Sequence, residues 1–355
     1  MKDVFVFRIG HLGDTLVALP AISKIKEIHR EEDLFLITNK PSKDFKVSPW
    51  DILRYTNYFK DVIFYEPGNV KSLMKLFYRI KSYGRNEVLY YLTPERSLIQ
   101  VARDYIFFKI LCGFKKAYGI KESLNEYILR DNYGKLITVE KEFERLLKII
   151  HKVHGLDYRK ENSPQTCLLN PPTEAYGYVN DIFKKIPKDS MLIAIGHGSK
   201  ISTTKWNLSK FIKLSNHLLN YNKRIFLVIV GGKDDFKCGE YLRSRFENRT
   251  INLCGKTNII ESAVAISKCI LFIGNDSGPL HLAGSMGVPC IGIYSARNNP
   301  GRWEPYGNNH VILRKDIECA GCFLEECVEK KQQCIDMISV DEVLEAAIGQ
   351  IKWCL

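Results

Sequence analysis

The sequence predicts an α/β protein of two Rossmann-like, doubly wound domains facing a central cleft. Three observations carry this. Short apolar runs alternate with helical segments along most of the chain. The alternation breaks once, around residues 155–190, and then restarts. The 355 residues are enough for two domains at roughly 100–200 residues each. Strands alternating with helices make parallel sheets covered on both faces.

The elements follow in order. A strand pattern at 4–9 runs into the turn Gly10-His11-Leu12-Gly13 and a helical pattern over 14–29. Further strands are expected at 34–38, 62–65 and 88–92, with helical segments between them. Asn162-Ser163-Pro164, Asn170-Pro171-Pro172 and Pro187 then punctuate the chain and place a domain boundary there. Strands are expected again at 192–195, 225–230, 251–253, 270–273 and 290–294, with helices at 208–219, 259–267 and 280–286. An amphipathic helix closes the chain, with Ser339 and Glu342 at capping-box spacing. The expected domains are 1–165, 166–338 and a C-terminal helix, 339–355, with the option of packing back on the first domain.

Composition narrows the function. Hydrophobic residues make up 45% and charged residues 26%, which excludes disordered and fibrous classes. No apolar run reaches the ~18 residues of a spanning helix. Asp3, Arg8 and Asp14 interrupt any signal-peptide core. A cytoplasmic protein is expected, with its 11 Cys reduced or bound to metal. The net charge is +12, and residues 1–165 hold 29 Lys and Arg against 21 Asp and Glu. That excess suggests an anionic partner.

Open α/β sheets bind ligands beyond the carboxyl ends of their strands, so the loops there carry the chemistry. The first, Arg8-Ile9-Gly10-His11-Leu12-Gly13-Asp14, combines two glycines with an acid at a helix start. Asp14 reads either as a helix cap or as a carboxylate available as a general base. The second, Gly196-His197-Gly198-Ser199-Lys200 with Thr203-Thr204-Lys205-Trp206, reads as a solvated loop or as a phosphate site neutralised by Lys205. The third, Gly231-Gly232-Lys233-Asp234-Asp235, reads as a turn or as a place for a carboxylate to meet sugar hydroxyls. The fourth, Ile273-Gly274-Asn275-Asp276-Ser277-Gly278-Pro279-Leu280-His281, ends a strand and opens a helix whose N-terminus suits a pyrophosphate. No G-x-G-x-x-G or P-loop occurs, which disfavours a Rossmann oxidoreductase.

With these residues in view, the sequence resembles glycosyltransferase family 9, the heptosyltransferases that use ADP-activated heptose. The matching stretches are Gly10 to Ala21, Lys205-Trp206 with its upstream loop, Gly231-Gly232, and Asn275-Asp276-Ser277-Gly278-Pro279-Leu280-His281-Leu282-Ala283. The match is poor between 40 and 165. The resemblance implies a GT-B fold with the nucleotide sugar in the C-terminal domain, and an inverting transfer that needs no catalytic cofactor or metal. It implies Asp14 as general base within the acceptor-side loop of Gly10, His11 and Gly13. It implies donor contacts from Lys205, Asp276, Ser277, Gly278 and His281; Ser199, Thr203 and Thr204 join them as hydroxyls able to donate to phosphate oxygens. Asp235 falls where the family often has Glu. The implied partners are an ADP-sugar donor and an anionic glycan, glycolipid or protein acceptor, above all lipopolysaccharide core. A protein, capsule or small-molecule acceptor on the same fold stays open. So does a non-catalytic metal- or nucleic-acid-binding protein, although no nucleic-acid signature appears and no nucleic acid is expected.

Two features stand apart. Cys319, Cys322, Cys327 and Cys334 form C-x2-C-x4-C-x6-C, a spacing open to structural zinc or iron, two disulfides or free thiols. Lys330 and Lys331 beside them are expected to favour thiolates. Residues 70–85 and 100–119 interleave aromatic and aliphatic residues with Lys and Arg. They read as core under a solvated basic face, or as a surface for peripheral contact with the inner face of a membrane or with an anionic acceptor.

Overall fold

A computed structural model describes residues 3–41, 47–84, 86–124, 128–158 and 169–354. The turn at Asn162-Ser163-Pro164 and Arg85 lie outside the described residues. The chain divides into two units: Met1–Tyr127 with Glu140–Pro164, and Ile128–Val139 with Gln165–Leu355.

In the first unit, β1 (Asp3–Phe7) leads into α1 (Leu12–Ile28) and β2 (Leu34–Asn39). A short α2 (Trp50–Leu53), β3 (Phe59–Tyr65), α3 (Val70–Ser82) and β4 (Asn86–Tyr91) follow. Then come α4 (Leu98–Tyr105), which runs on as a π-helix over Ile106–Leu111, β5 (Lys116–Tyr118) and α5 (Glu142–His154). The sheet is parallel, in the order β3-β2-β1-β4-β5, so the topology switches between β1 and β4. Side chains alternate along a strand. Phe5 and Phe7 therefore join Phe35, Ile37, Tyr65 and Tyr91 on one sheet face, under the inner sides of α3 and the α4–π segment. On α3 that inner side is Leu76 and Ile80; on α4 and the π-helix it is Val101, Phe107 and Phe108.

The second unit holds α6 (Thr173–Phe183), β6 (Met191–Gly196), α7 (Leu208–Tyr221), β7 (Ile225–Ile229), α8 (Phe236–Arg245) and β8 (Thr250–Asn252). It continues with α9 (Ile259–Ser267), β9 (Leu271–Asn275), α10 (Gly278–Ser285), β10 (Cys290–Tyr294), β11 (His310–Arg314), α11 (Gln333–Asp336) and α12 (Val340–Cys354). Its parallel sheet runs β11-β10-β9-β6-β7-β8, with the switch between β6 and β9. There Gly196 pairs with Gly274. A Cβ on Gly274 would stand 2.5 Å from the Gly196 carbonyl oxygen, so the two strands meet where a side chain has no room.

Two arrangements differ from the sequence reading. The closing helix does not need the first domain to bury its apolar face. Val343, Ala347 and Ile351 of α12 join Phe211, Leu214 and Leu218 of α7 in the core of the second unit. Ser339 and Glu342 do form the expected capping box: Ser339 N–H donates to Glu342 Oε2 at 2.9 Å, and Glu342 N–H donates to Ser339 Oγ at 3.2 Å. Residues 128–139 also leave the expected first domain and belong to the second unit. The Asn299 amide fixes them, accepting from Leu129 N–H (2.9 Å) and donating to the carbonyls of Leu129 (2.6 Å) and Ile137 (2.9 Å). Val139 N–H donates to Pro300 O at 2.9 Å.

Candidate active site

In the first unit the site begins where β1 ends. Gly10 has φ of +137°, a left-handed conformation that a Cβ disfavours. A Cβ there would also lie 2.6 Å from Asp14 Oδ2. Gly10 N–H donates to Asn39 Oδ1 (3.1 Å), and His11 N–H donates to Asp14 Oδ2 (2.7 Å). Asp14 is thus both cap and candidate base: Oδ2 caps the first turn of α1, and Oδ1 makes no hydrogen bond among the described residues. Arg8 sits beneath it, fully buried. One guanidinium nitrogen donates to Leu92 O at 2.6 Å, and the other grips the carbonyl of Asp14. Burial pulls the Arg8 guanidinium down to about 10, opposed by the charges of Asp14 and Glu142. Gly13 lies within the first turn of α1. On the general-base reading of Asp14, Gly10→Ala is expected to displace its carboxylate and lower kcat by about 100-fold, the cost of a small misplacement of a reacting group. Steady-state kinetics beside a thermal melt separates this from unfolding.

In the second unit three strand-end loops converge. A Cβ on Gly198 would lie 2.2 Å from Asp235 Oδ1, so the β6 and β7 loops touch through that glycine. Asp235 Oδ2 accepts from Gly232 N–H at 2.9 Å, which orients the carboxylate. Ser199 Oγ lies 3.4 Å from the Asp276 carbonyl and 2.7 Å from Thr204 Oγ1, joining the β9 loop to the turn before Lys205. His281 Nε2 is 3.9 Å from Asp276 Oδ1. Ser277 occupies the N-cap position of α10 with its hydroxyl turned back to the Asn275 carbonyl (3.1 Å), and Gly278 and Pro279 open the helix. The first N–H groups of a helix lack intrahelical partners and carry partial positive charge.

Lys205 is exposed and makes no ion pair among the described residues. It borders an open cavity of about 290 Å³, together with Asn207, Lys331 and Asp336. The neighbouring Trp206 is its anchor, buried with its indole N–H donating to Ile338 O at 2.9 Å. Burial lowers the His197 imidazole; the Asp235 charge opposes this and the Lys205 charge adds to it.

Thr203 and Thr204 are placed differently from simple phosphate donors. Both are buried, with Thr203 Oγ1 donating to Leu324 O (2.8 Å) and Thr204 Oγ1 to Ile201 O (3.0 Å). Their hydroxyls shape the turn that presents Lys205.

Two residues were given no role by the sequence reading. Asn275 is fully buried, accepts from Trp206 N–H (3.0 Å) and donates to His197 O (2.7 Å). It ties the β6 loop, the lysine turn and β9 together. The signal was its place one residue before Asp276, but a polar strand end reads equally as solvated. Asn275→Leu strands two buried polar groups at about 1–3 kcal/mol each. The expected outcome is a loss of about 2–6 kcal/mol, visible in urea melts as a lower midpoint at unchanged slope. Arg314 is the other; burial lowers its guanidinium, and Asp276 first among the nearby charges opposes the shift. It sits on β11, an edge strand whose short run Val311-Ile312-Leu313 is half-buried throughout.

The cysteine quartet lines one cavity of about 20 Å³. Among the described residues, however, no group of three or more His, Cys, Asp or Glu is arranged to hold a metal ion. A structural zinc or iron at the quartet is not shown by this arrangement. The loop's path is set elsewhere: Arg297 donates to the carbonyls of Phe323 and Leu324 (3.0 Å each), and Ser202 Oγ donates to Glu325 O (2.7 Å). Burial pushes the Cys334 thiol up, against the thiolate expected from the adjacent lysines.

With this geometry in hand, the comparisons decide the family. The sequence model of glycosyltransferase family 9 (heptosyltransferase) matches residues 113–333. The chain belongs to glycosyltransferase family 9. This glycosyltransferase is 23% identical to lipooligosaccharide heptosyltransferase 2 of Campylobacter jejuni over 355 residues, covering 98% of each chain. The solved structure of a glycosyl transferase family 9 protein from Veillonella parvula superposes with a TM-score of 0.73 at 17% identity, covering 99% of this chain and 97% of that one. The E. coli ADP-heptose lps heptosyltransferase II structure superposes at 0.69 with 15% identity and 99% coverage of both. These structural likenesses show the fold, which is GT-B. The protein is an enzyme, so the non-catalytic alternative falls away. Among the described residues no helix is long and apolar enough to cross a membrane.

Proposed function

We propose that this enzyme transfers a heptose from an ADP-heptose donor to a hydroxyl of lipopolysaccharide core, with inversion at the anomeric carbon. The observation that carries the donor reading is the convergence of Ser199, Asp235, Asp276 and His281, with the anchored Lys205 close by, where the sheet order switches between β6 and β9. Such switch points are where open α/β sheets receive ligands. The heptose and the lipopolysaccharide class of acceptor are taken from the named activities of the relatives.

The chemistry assigns one role to each group. Lys205 and the N-terminus of α10 hold the diphosphate and stabilise the charge that grows on it as it departs. Asp235 and Asp276 face donor hydroxyls. Asp14 takes the proton from the acceptor hydroxyl while that oxygen attacks the anomeric carbon; the carbon–oxygen bond to ADP breaks, and ADP leaves with the bonding pair. A single displacement needs one carboxylate, and the cation and helix supply leaving-group stabilisation without a catalytic metal.

The test is a nucleotide panel on the purified protein. ADP, UDP, GDP, dTDP and CMP are compared by thermal shift, where a ligand at 100 times its Kd adds about 2.7 kcal/mol. A selective ADP shift supports the reading, and selectivity for another nucleotide removes the ADP-sugar donor from it. A product with retained anomeric configuration by NMR would overturn the single displacement.

A further inference from the structure

The helix layer over one face of the first unit's sheet has an unusual outer side. A helix covering a sheet is normally apolar inward and polar outward. Here α3 presents Val70, Met74 and Tyr78 to solvent at i, i+4 and i+8, with Val70 at 72% exposure. The α4–π segment presents Leu98 and Ile99 on its first turn, then Ile106, Ile110 and Leu111. Ile99 is 82% exposed. Both segments sit on the same sheet face, because Leu76 and Ile80 of one share a core with Val101, Phe107 and Phe108 of the other. They also adjoin: Lys81 Nζ lies 3.4 Å from where a Cβ on Gly113 would stand.

The charges these segments carry are mostly positive; Arg79 is paired with Asp61 (3.0 Å) and Lys115 with Glu87 (2.7 Å) from the neighbouring strands, while Lys71 and Lys75 are exposed. Helix α3 carries Lys71, Lys75, Arg79 and Lys81 and no carboxylate. Residues 97–116 carry Arg103, Lys109, Lys115 and Lys116 against Asp104 alone. Asp104 is buried and held by Tyr91 and Arg103. Exposed apolar side chains set among cations match a surface with an anionic headgroup layer over hydrocarbon. A protein partner of ordinary composition would bring both signs of charge and would find little here to pair its own lysines and arginines.

We propose that the outer face of α3 and the α4–π segment docks the enzyme on an anionic phospholipid bilayer. Ile99 and Ile110 would enter the headgroup boundary, and Lys71 and Lys75 would meet lipid phosphates. This goes beyond the transfer reaction and does not depend on it.

The test is flotation of the full chain with phosphatidylcholine vesicles, with and without phosphatidylglycerol. The wild type is expected to float with the anionic vesicles and to be released by salt. Ile99→Glu/Ile110→Glu and Lys71→Glu/Lys75→Glu should each weaken vesicle partitioning by at least about tenfold. All four positions lie on the solvent side, so the melting temperature and ADP shift should hold, which separates lost docking from lost fold. Failure of the wild type to float with anionic vesicles overturns the proposal, as does unchanged partitioning of both double variants. A wild type that ignores vesicles but self-associates through this face, with monomeric variants, assigns the surface to a second copy instead. None of these outcomes bears on the donor or transfer readings.

Discussion

Asp14→Asn is expected to lower kcat by about 10²–10⁴-fold, the range that a positioned general base contributes. The substitution isolates the proton transfer. An amide oxygen can still accept from His11 N–H, so the cap that Asp14 Oδ2 provides at 2.7 Å is preserved. Arg8 still grips the backbone carbonyl of residue 14, because that contact does not involve the side chain. What disappears is the basic oxygen. The donor groups named above all lie on the second unit's loops, so the affinity for ADP should be unchanged. Asp14→Ala would remove the cap as well, at about 0.5–2 kcal/mol. Comparing the two by kinetics and melting separates catalysis from capping. Turnover of Asp14→Asn at the wild-type rate would end the general-base assignment.

Lys205→Ala is expected to weaken ADP binding by about 10–100-fold, the value of a charge-assisted contact to phosphate. The lysine is exposed and makes no ion pair among the described residues, so its removal should leave the melting temperature of the free protein unchanged. Its position is set by what does not change: the buried Trp206 beside it, the Asn275 amide that accepts from Trp206 N–H, and the turn bonded through Thr203 to Leu324 O. Lys205→Arg keeps the charge and should recover part of the affinity. Calorimetry with ADP reads both, and wild-type affinity in the alanine variant would remove Lys205 from the diphosphate site.

The placement of these motifs at strand ends was legible because each glycine-, acid- or hydroxyl-bearing stretch follows an apolar run, and each does follow a strand: β1, β6, β7 and β9. The two doubly wound sheets followed from the alternation, and the expected strand over 290–294 coincides with β10. Other features were hidden for physical reasons. The segment 128–139 is held by the Asn299 amide about 170 residues away, so nothing local to it announces the partner. Strand β11 is an edge strand with every residue half-buried, and it gives no alternation to read. Thr203 and Thr204 looked like ligand donors because a hydroxyl near a lysine suits phosphate; only the long-range bond to Leu324 O shows that one of them braces the loop. The cysteine spacing allowed a metal site, but the path of that loop is set by Arg297 and Ser202.

The most direct test of the central claim is transfer itself. The full chain is incubated with ADP-heptose and a lipopolysaccharide core acceptor lacking its heptose, and the acceptor is weighed by mass spectrometry. The account predicts addition of one heptose with release of ADP, lost in Asp14→Asn. A protein that binds ADP but leaves every glycolipid acceptor unchanged would contradict the core assignment. Transfer that persists in Asp14→Asn would contradict the mechanism.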